Sequence, residues 1–279
     1  MKNLLFFLVF AFITGCTEKK SSPDQRHVIR YDFAYGKDPE QKMDIYLPKT
    51  QNISRDVFII IHGGGWRGGN KSELTAFTVS MMKKFPNSVF ANINYRLAST
   101  SQYAIPNQTD DIGHVIRYLE KKLTNSPRFI LLGNSAGGYL SMFYAYKFNT
   151  GRNIKAVVNI VGPADLSDPG FKSYEDYFFV ERHLIDPKIV SSESPMAFAS
   201  PISWVDTTSV PTLSYYGKND RVIPFSQKEI LDSVLNRNHV IHESLEFSGG
   251  HLDWLKEDNR NFLIDKIAKF LKRIENKTP

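Results

Sequence analysis

The stretch Phe129-Ile130-Leu131-Leu132-Gly133-Asn134-Ser135-Ala136-Gly137-Gly138-Tyr139-Leu140 decides how this chain is read. It opens on a short apolar run suited to a buried strand. The run breaks at Gly133, and residues 136–148, AGGYLSMFYAYKF, have a composition compatible with a helix. Between the two, Gly133-x-Ser135-x-Gly137 has the spacing of a nucleophile elbow, a sharp strand-to-helix turn that leaves a serine hydroxyl exposed. Such a turn strains the backbone and brings strand and helix into close approach, so the flanking positions need residues without side chains. The free N–H groups at the helix start, and the positive end of its dipole, point at any anion that forms beside the hydroxyl.

Working outward, Val57-Phe58-Ile59-Ile60-Ile61 is a β-branched run suited to a strand covered on both faces. It empties into His62-Gly63-Gly64-Gly65-Trp66-Arg67-Gly68-Gly69. Glycines after a buried strand let the backbone approach a ligand and aim N–H groups at it. Neither the GxxxxGK[ST] spacing of a phosphate loop nor a Rossmann GxGxxG is present, so an anion hole for a tetrahedral intermediate is the better fit. His62 is assigned a structural role in this loop, because a histidine better placed for catalysis follows later.

At the N-terminus, Met1-Lys2-Asn3 and the apolar run LLFFLVFAFITG form a basic tip and a core too short to span a bilayer, which is the pattern of a secretory signal. The run ends in Ile13-Thr14-Gly15-Cys16, similar to the lipobox of bacterial lipoproteins, and Cys16 is the sole cysteine. Residues 1–16 are thus expected to be a signal segment and Cys16 a lipidated anchor of an exported, membrane-attached protein, periplasmic or on the cell surface. With one cysteine no intramolecular disulfide can form. Residues 17–26, polar and rich in Ser, Lys and Pro, read as a flexible tether. The remainder, 27–279, about 250 residues, fits one α/β domain with a large core. The net charge of +6 comes from lysines and arginines interspersed with carboxylates rather than clustered, a solvated surface and not a nucleic-acid footprint.

Val28–Tyr35 and Gln41–Leu47 alternate apolar and polar residues around Gly36-Lys37-Asp38-Pro39, a hairpin at one sheet edge. Further strands are expected over 88–95, 156–161, 210–217 and 241–247, and helices over 110–119, 226–235 and 259–274. Asp110 and Asp111 are placed in the first turn of their helix, as capping and packing residues rather than an acid–base pair. Residues 166–200 are irregular and aromatic, and are expected to cover the site as a small cap. Tyr174, Tyr177, Phe178 and Phe179 within it either line a pocket or pack the cap down.

Strands alternating with helices after an initial hairpin imply a mostly parallel sheet with helices on both faces. The candidate groups lie just past strand C-termini, where such sheets place their sites. Ser135, Asp220 (in Lys218-Asn219-Asp220-Arg221) and His251 (in Ser248-Gly249-Gly250-His251) run in the order nucleophile, acid, histidine used by the α/β-hydrolase fold. Asp165 is the rival acid. His114, His183, His239 and His242 lack a comparable setting.

The chain resembles α/β-hydrolase esterases, close to the group holding bifunctional feruloyl and acetylxylan esterases and to the wider HGGG carboxylesterases. The resemblance runs from about residue 27 to the end. It is carried by HGGGW at 62–66, NYRLA at 94–98, GNSAGG at 133–138, YYGKNDRVIP at 215–224 and SGGH at 248–251. Asn134 stands where hormone-sensitive-lipase-type members have Asp, and the chain lacks their longer N-terminal cap. The resemblance implies that Ser135, Asp220 and His251 act as a triad and that the amides of Gly64, Gly65 and Ala136 form the oxyanion hole. The substrate it implies is an ester, with acetylated or feruloylated polysaccharide as the candidate. No cofactor and no metal are implied, since HExxH, ligand-spaced carboxylates and a cysteine pair are all missing. An amidase, arylformamidase or peptidase on the same fold is the nearest alternative, and a catalytically dead surface-binding protein the next.

Overall fold

Val57-Phe58-Ile59-Ile60-Ile61 is apolar at every position because its strand is covered on both sides: Val57, Ile59 and Ile61 enter one core, Phe58 and Ile60 the other. All five are fully buried, each contributing about 1.5–3 kcal/mol of transfer free energy. The computed structural model describes residues 26–148, 153–190 and 194–276. The signal segment, Cys16 and the tether up to residue 25 lie outside the described residues.

The strands are β1 (His27–Ala34), β2 (Lys42–Pro48), β3 (Asp56–Ile61), β4 (Val89–Ile93), β5 (Arg128–Asn134), β6 (Ile154–Ile160), β7 (Thr212–Gly217) and β8 (His242–Phe247). They form one sheet in the order β1-β2-β4-β3-β5-β6-β7-β8. The β1–β2 hairpin and its seam with β4 are antiparallel, and every other pair is parallel. The helices are α1 (Thr75–Lys84), α2 (Asn107–Lys122), α3 (Ala136–Phe148), α4 (Tyr177–His183), α5 (Pro195–Ala199), α6 (Ser226–Arg237) and α7 (Glu257–Glu275). Apolar residues of α2, α3 and α6 pack on one sheet face, and those of α1 and α7 on the other. The expected architecture, a mostly parallel sheet with helices on both faces, is the one observed.

Three local features differ from the sequence expectations. No element is assigned from sequence to 75–84, yet α1 lies there. The capping box Asn70-Lys71-Ser72-Glu73, in which Asn70 Oδ1 accepts from Ser72 N and Glu73 Oε1 accepts from Asn70 N, opens the 3₁₀ turn Lys71–Leu74 that leads into α1. The segment 166–200 is less irregular than expected, since it contains α4 and α5. It is also stitched down: Ala104 N and Ile105 N donate to His183 O and Leu184 O, and Tyr139 Oη donates to Ala199 O at 2.7 Å. Asp110 does lie in the first turn of α2, but Asp111, one residue on, begins the second turn and is fully buried. There it pairs with Arg96 at 2.7 Å and accepts from Gln41 Nε2 at 2.6 Å.

Candidate active site

The winding reverses at β3, which has β4 on one side and β5 on the other. In an open parallel sheet the crevice at such a switch point, outside the strand C-termini, is where ligands bind. The two glycine-rich turns of the sequence leave β3 and β5 at this crevice. A cleft of about 320 Å³ opens there, lined by Gly63–Gly65, Glu73, Asn134, Ser135, Tyr174, Val222, His251 and Leu252.

Ser135 has φ +52°, the left-handed region that costs a non-glycine residue about 1–3 kcal/mol. Its amide donates to Ile160 O at 2.8 Å, and its carbonyl accepts the first helical bond from Tyr139 N at 3.0 Å. The turn is as tight as the glycine spacing requires. A Cβ on Gly133 would stand 2.3 Å from the Gly137 carbonyl carbon, and one on Gly137 would stand 2.1 Å from Ile61 O. The Gly133–Gly137 turn and the end of β3 are therefore in direct backbone contact. Ala136 is buried, and its amide opens α3.

The glycine loop is shaped before any ligand arrives. Gly64 and Gly65 have φ of +109° and +58°. Gly68 N donates to Gly64 O at 2.9 Å, while Ala98 N and Gln108 Nε2 both donate to Trp66 O. Among the described residues the amides of Gly64, Gly65 and Ala136 engage no protein acceptor. His62 lies under the loop, stacked on Tyr95 at 4.3 Å, and its Nδ1 donates to Gly63 O at 2.6 Å. Burial lowers its pKa to about 4, so it is neutral at pH 7 and acts as a strut.

Asp220 and His251 meet because β7 and β8 are neighbours. Lys218 N donates to Phe247 O at 2.9 Å and Asn219 N to Gly249 O at 3.0 Å, which holds the two turns side by side. Gly217 keeps them close, for a Cβ there would stand 2.6 Å from Gly249 O. His251 Nδ1 then donates to Asp220 Oδ2 at 2.7 Å. The other carboxylate oxygen accepts from Val222 N and Ile223 N at 2.8 and 3.0 Å, and the Asp220 side chain is 1% exposed. His251 keeps 15% of its side chain exposed, on the cleft it shares with Ser135. No hydrogen bond joins Ser135 Oγ to His251 among the described residues. Asp165 is elsewhere, its Oδ1 accepting from Ser167 N at 2.8 Å and Ser200 Oγ at 3.3 Å.

Of the four aromatic cap residues, Tyr174 reaches the cleft. Tyr177 is buried against Phe171, Phe178 is 72% exposed, and Phe179 lies under the Arg67 guanidinium. Glu73, Val222 and Leu252 also line the cleft without having been singled out in the sequence. Glu73 is marked by its capping box, and the other two by adjacency to Asp220 and His251. Among the described residues no three His, Cys, Asp or Glu side chains gather as a metal site.

The profile of the BD-FAE family matches residues 43–235. Esterase LipC of Mycobacterium tuberculosis is 28% identical over 273 residues, an alignment covering 90% of this chain and 66% of LipC, so the chain spans about two thirds of that relative. Among solved structures, a truncated carbohydrate esterase from gut microbiota superposes with a TM-score of 0.70 at 20% identity, covering 90% of this chain and 99% of the other. Esterase B from Lactobacillus rhamnosis, inhibited by a tributyrin phosphonate, gives a TM-score of 0.73 at 18% identity over 91% and 88%. At such identities the structural likeness is one of fold, and that fold is the α/β-hydrolase.

Proposed function

The chain belongs to the BD-FAE family of α/β-hydrolase esterases, and we propose that it hydrolyses carboxylic esters with Ser135 as nucleophile, His251 as proton carrier and Asp220 as orienting acid. The observation that carries this reading is the His251–Asp220 bond of 2.7 Å on the same cleft as the strained Ser135. Ser135 Oγ attacks the ester carbonyl while His251 Nε2 takes its proton and returns it to the departing alkoxide; water then repeats the sequence on the acyl-enzyme. The Ser135–His251 contact closes when substrate fills the cleft, as such contacts do in a Michaelis complex. Asp220 fixes the Nδ1–H tautomer and stabilises the imidazolium. The unengaged amides of Gly64, Gly65 and Ala136 receive the oxyanion.

A cleft of about 320 Å³ suits a short acyl group. Its lining includes the Glu73 carboxylate and the Asn134 amide, groups that can hydrogen-bond a hydroxyl-rich alcohol. The substrate is accordingly a short-chain or carbohydrate ester, acetyl or feruloyl. Cys16, lipidated after export, would hold the enzyme at a membrane; a Cys16→Ala protein that still partitioned with membranes would refute the anchor. The substrate is tested by measuring acetate and ferulate released from acetylated xylan and feruloylated arabinoxylan, with p-nitrophenyl acetate as control. Release from a polymer is expected, and turnover of the nitrophenyl ester alone would remove the carbohydrate assignment.

A further inference from the structure

The cap delivers one more donor to the anion-binding end of the cleft. Tyr174 lies between the 3₁₀ turn Phe171–Ser173 and α4, and lines the cleft beside Ser135, His251 and the glycine loop. A Cβ placed on Gly65 would stand 2.7 Å from the Tyr174 hydroxyl oxygen. That oxygen therefore sits against the Cα of a residue whose amide is assigned to the hole, in space that a glycine at 65 leaves open. Among the described residues the hydroxyl has no hydrogen-bond partner.

The ring cannot wander. It stacks on Phe171 with centroids 5.5 Å apart and planes at 16°. Two residues on, Asp176 accepts from Arg67 Nη2 at 2.6 Å, and the same guanidinium lies 4.7 Å from the Phe179 ring centroid. Arg67 belongs to the glycine loop, so the clasp ties the cap segment bearing Tyr174 to the loop bearing Gly65. Partial burial, reinforced by the nearby Asp176 carboxylate, raises the phenol above its usual range, so it remains an O–H donor through the working pH.

We propose that Tyr174 is a further catalytic residue, donating its O–H to the ester carbonyl oxygen as that oxygen becomes an oxyanion, alongside the amides of Gly64, Gly65 and Ala136. The role rests on the serine-hydrolase reading above. No proton is transferred; the hydrogen bond strengthens as negative charge gathers on the oxygen.

Tyr174→Phe keeps the ring and its stacking and removes the donor. The expected result is a fall in kcat of about 10²-fold, with KM changed by no more than about twofold. The factor should be the same for p-nitrophenyl acetate and for an acetylated methyl xyloside, because both present the same carbonyl oxygen. Labelling of Ser135 by a fluorophosphonate, whose phosphoryl oxygen takes the same position, should slow in parallel. Measured below the thermal midpoint of the variant, that labelling also reads the ratio if the substitution lowers stability. An unchanged kcat overturns the proposal, as does a loss confined to the sugar ester, which would make Tyr174 a ligand of the alcohol. Wild-type turnover reads the underlying assignment separately. Absence of turnover in both proteins refutes the hydrolase reading and this role with it, whereas equal turnover in both refutes the Tyr174 role alone.

Discussion

Replacing Gly137 by Ala tests whether the contact between β3 and α3 positions Ser135. The added Cβ would stand 2.1 Å from Ile61 O and 2.6 Å from His62 O, against 3.4 Å for ordinary van der Waals contact. Both oxygens belong to the backbone at the end of β3, a strand hydrogen-bonded on both sides and buried on both faces. The strand cannot retreat, so the first turn of α3 must move by about 1 Å, and Ser135 moves with it. Overpacking of this kind costs about 1–3 kcal/mol, offset by at most about 1 kcal/mol from the better helix propensity of Ala. The thermal midpoint should therefore fall by several degrees, roughly 2–4 °C per kcal/mol for a domain of this size. Activity should fall much further, since a displacement of about 1 Å costs about 10²-fold in rate. Gly68→Ala is the control. Its Cβ would meet only Gly64 O, at 3.5 Å, and the variant should keep its midpoint. Calorimetry and p-nitrophenyl acetate turnover read both quantities. A Gly137→Ala protein with wild-type midpoint and turnover would refute the claim that this contact sets the elbow.

Two further outcomes follow from named contacts. Asp220→Asn places an amide opposite His251 Nδ1, favours the wrong tautomer, and should lower kcat by about 10⁴-fold with KM little changed; a loss below about tenfold would remove Asp220 from its assigned role. His62 titrates at about 4 when folded, against 6.5 in an unfolded chain. Between those values the unfolded state binds a proton that the folded state refuses, so this stability is complete above pH 6.5 and is lost as pH falls toward 4. The loss at pH 4.5 is about 2–3 kcal/mol. Urea unfolding at pH 7 and pH 4.5 should show a smaller acid-induced drop for His62→Gln than for the wild type, and equal drops would refute the account of His62 as a neutral strut.

The sheet was legible because its strands are nearly continuous apolar runs. Residues 57–61 and 129–132 read as strands covered on both faces, and the β1–β2 hairpin announces itself by alternation around Gly36–Pro39. The tight turn of the candidate site was legible because a backbone brought close to other atoms requires glycine: Gly133 and Gly137 each lack room for a Cβ, as the GxSxG spacing implies. What the sequence withheld is pairing between distant segments. Arg67 meets Asp176, and Tyr174 meets Gly65, across more than a hundred residues, through packing that local periodicity does not encode. Asp111 shows the same limit. Its place in the chain suggests a helix cap, but Arg96 and Gln41 draw it into a buried pair. Helix α1 was missed for a different reason, since the capping box opens the 3₁₀ turn before it and α1 itself is a segment of mixed polarity whose buried face is only Phe77, Thr78, Met81 and Met82.

The central claim is that Ser135 becomes acylated. The direct measurement is to mix the purified protein with p-nitrophenyl acetate, quench in acid during the first turnovers, and map the acetyl group by mass spectrometry of the peptides. The account predicts acetyl on the peptide containing Ser135, at that residue, and none in a Ser135→Ala protein that retains the wild-type thermal midpoint. Turnover without acetylation of Ser135, or undiminished turnover by the Ser135→Ala protein, would contradict it.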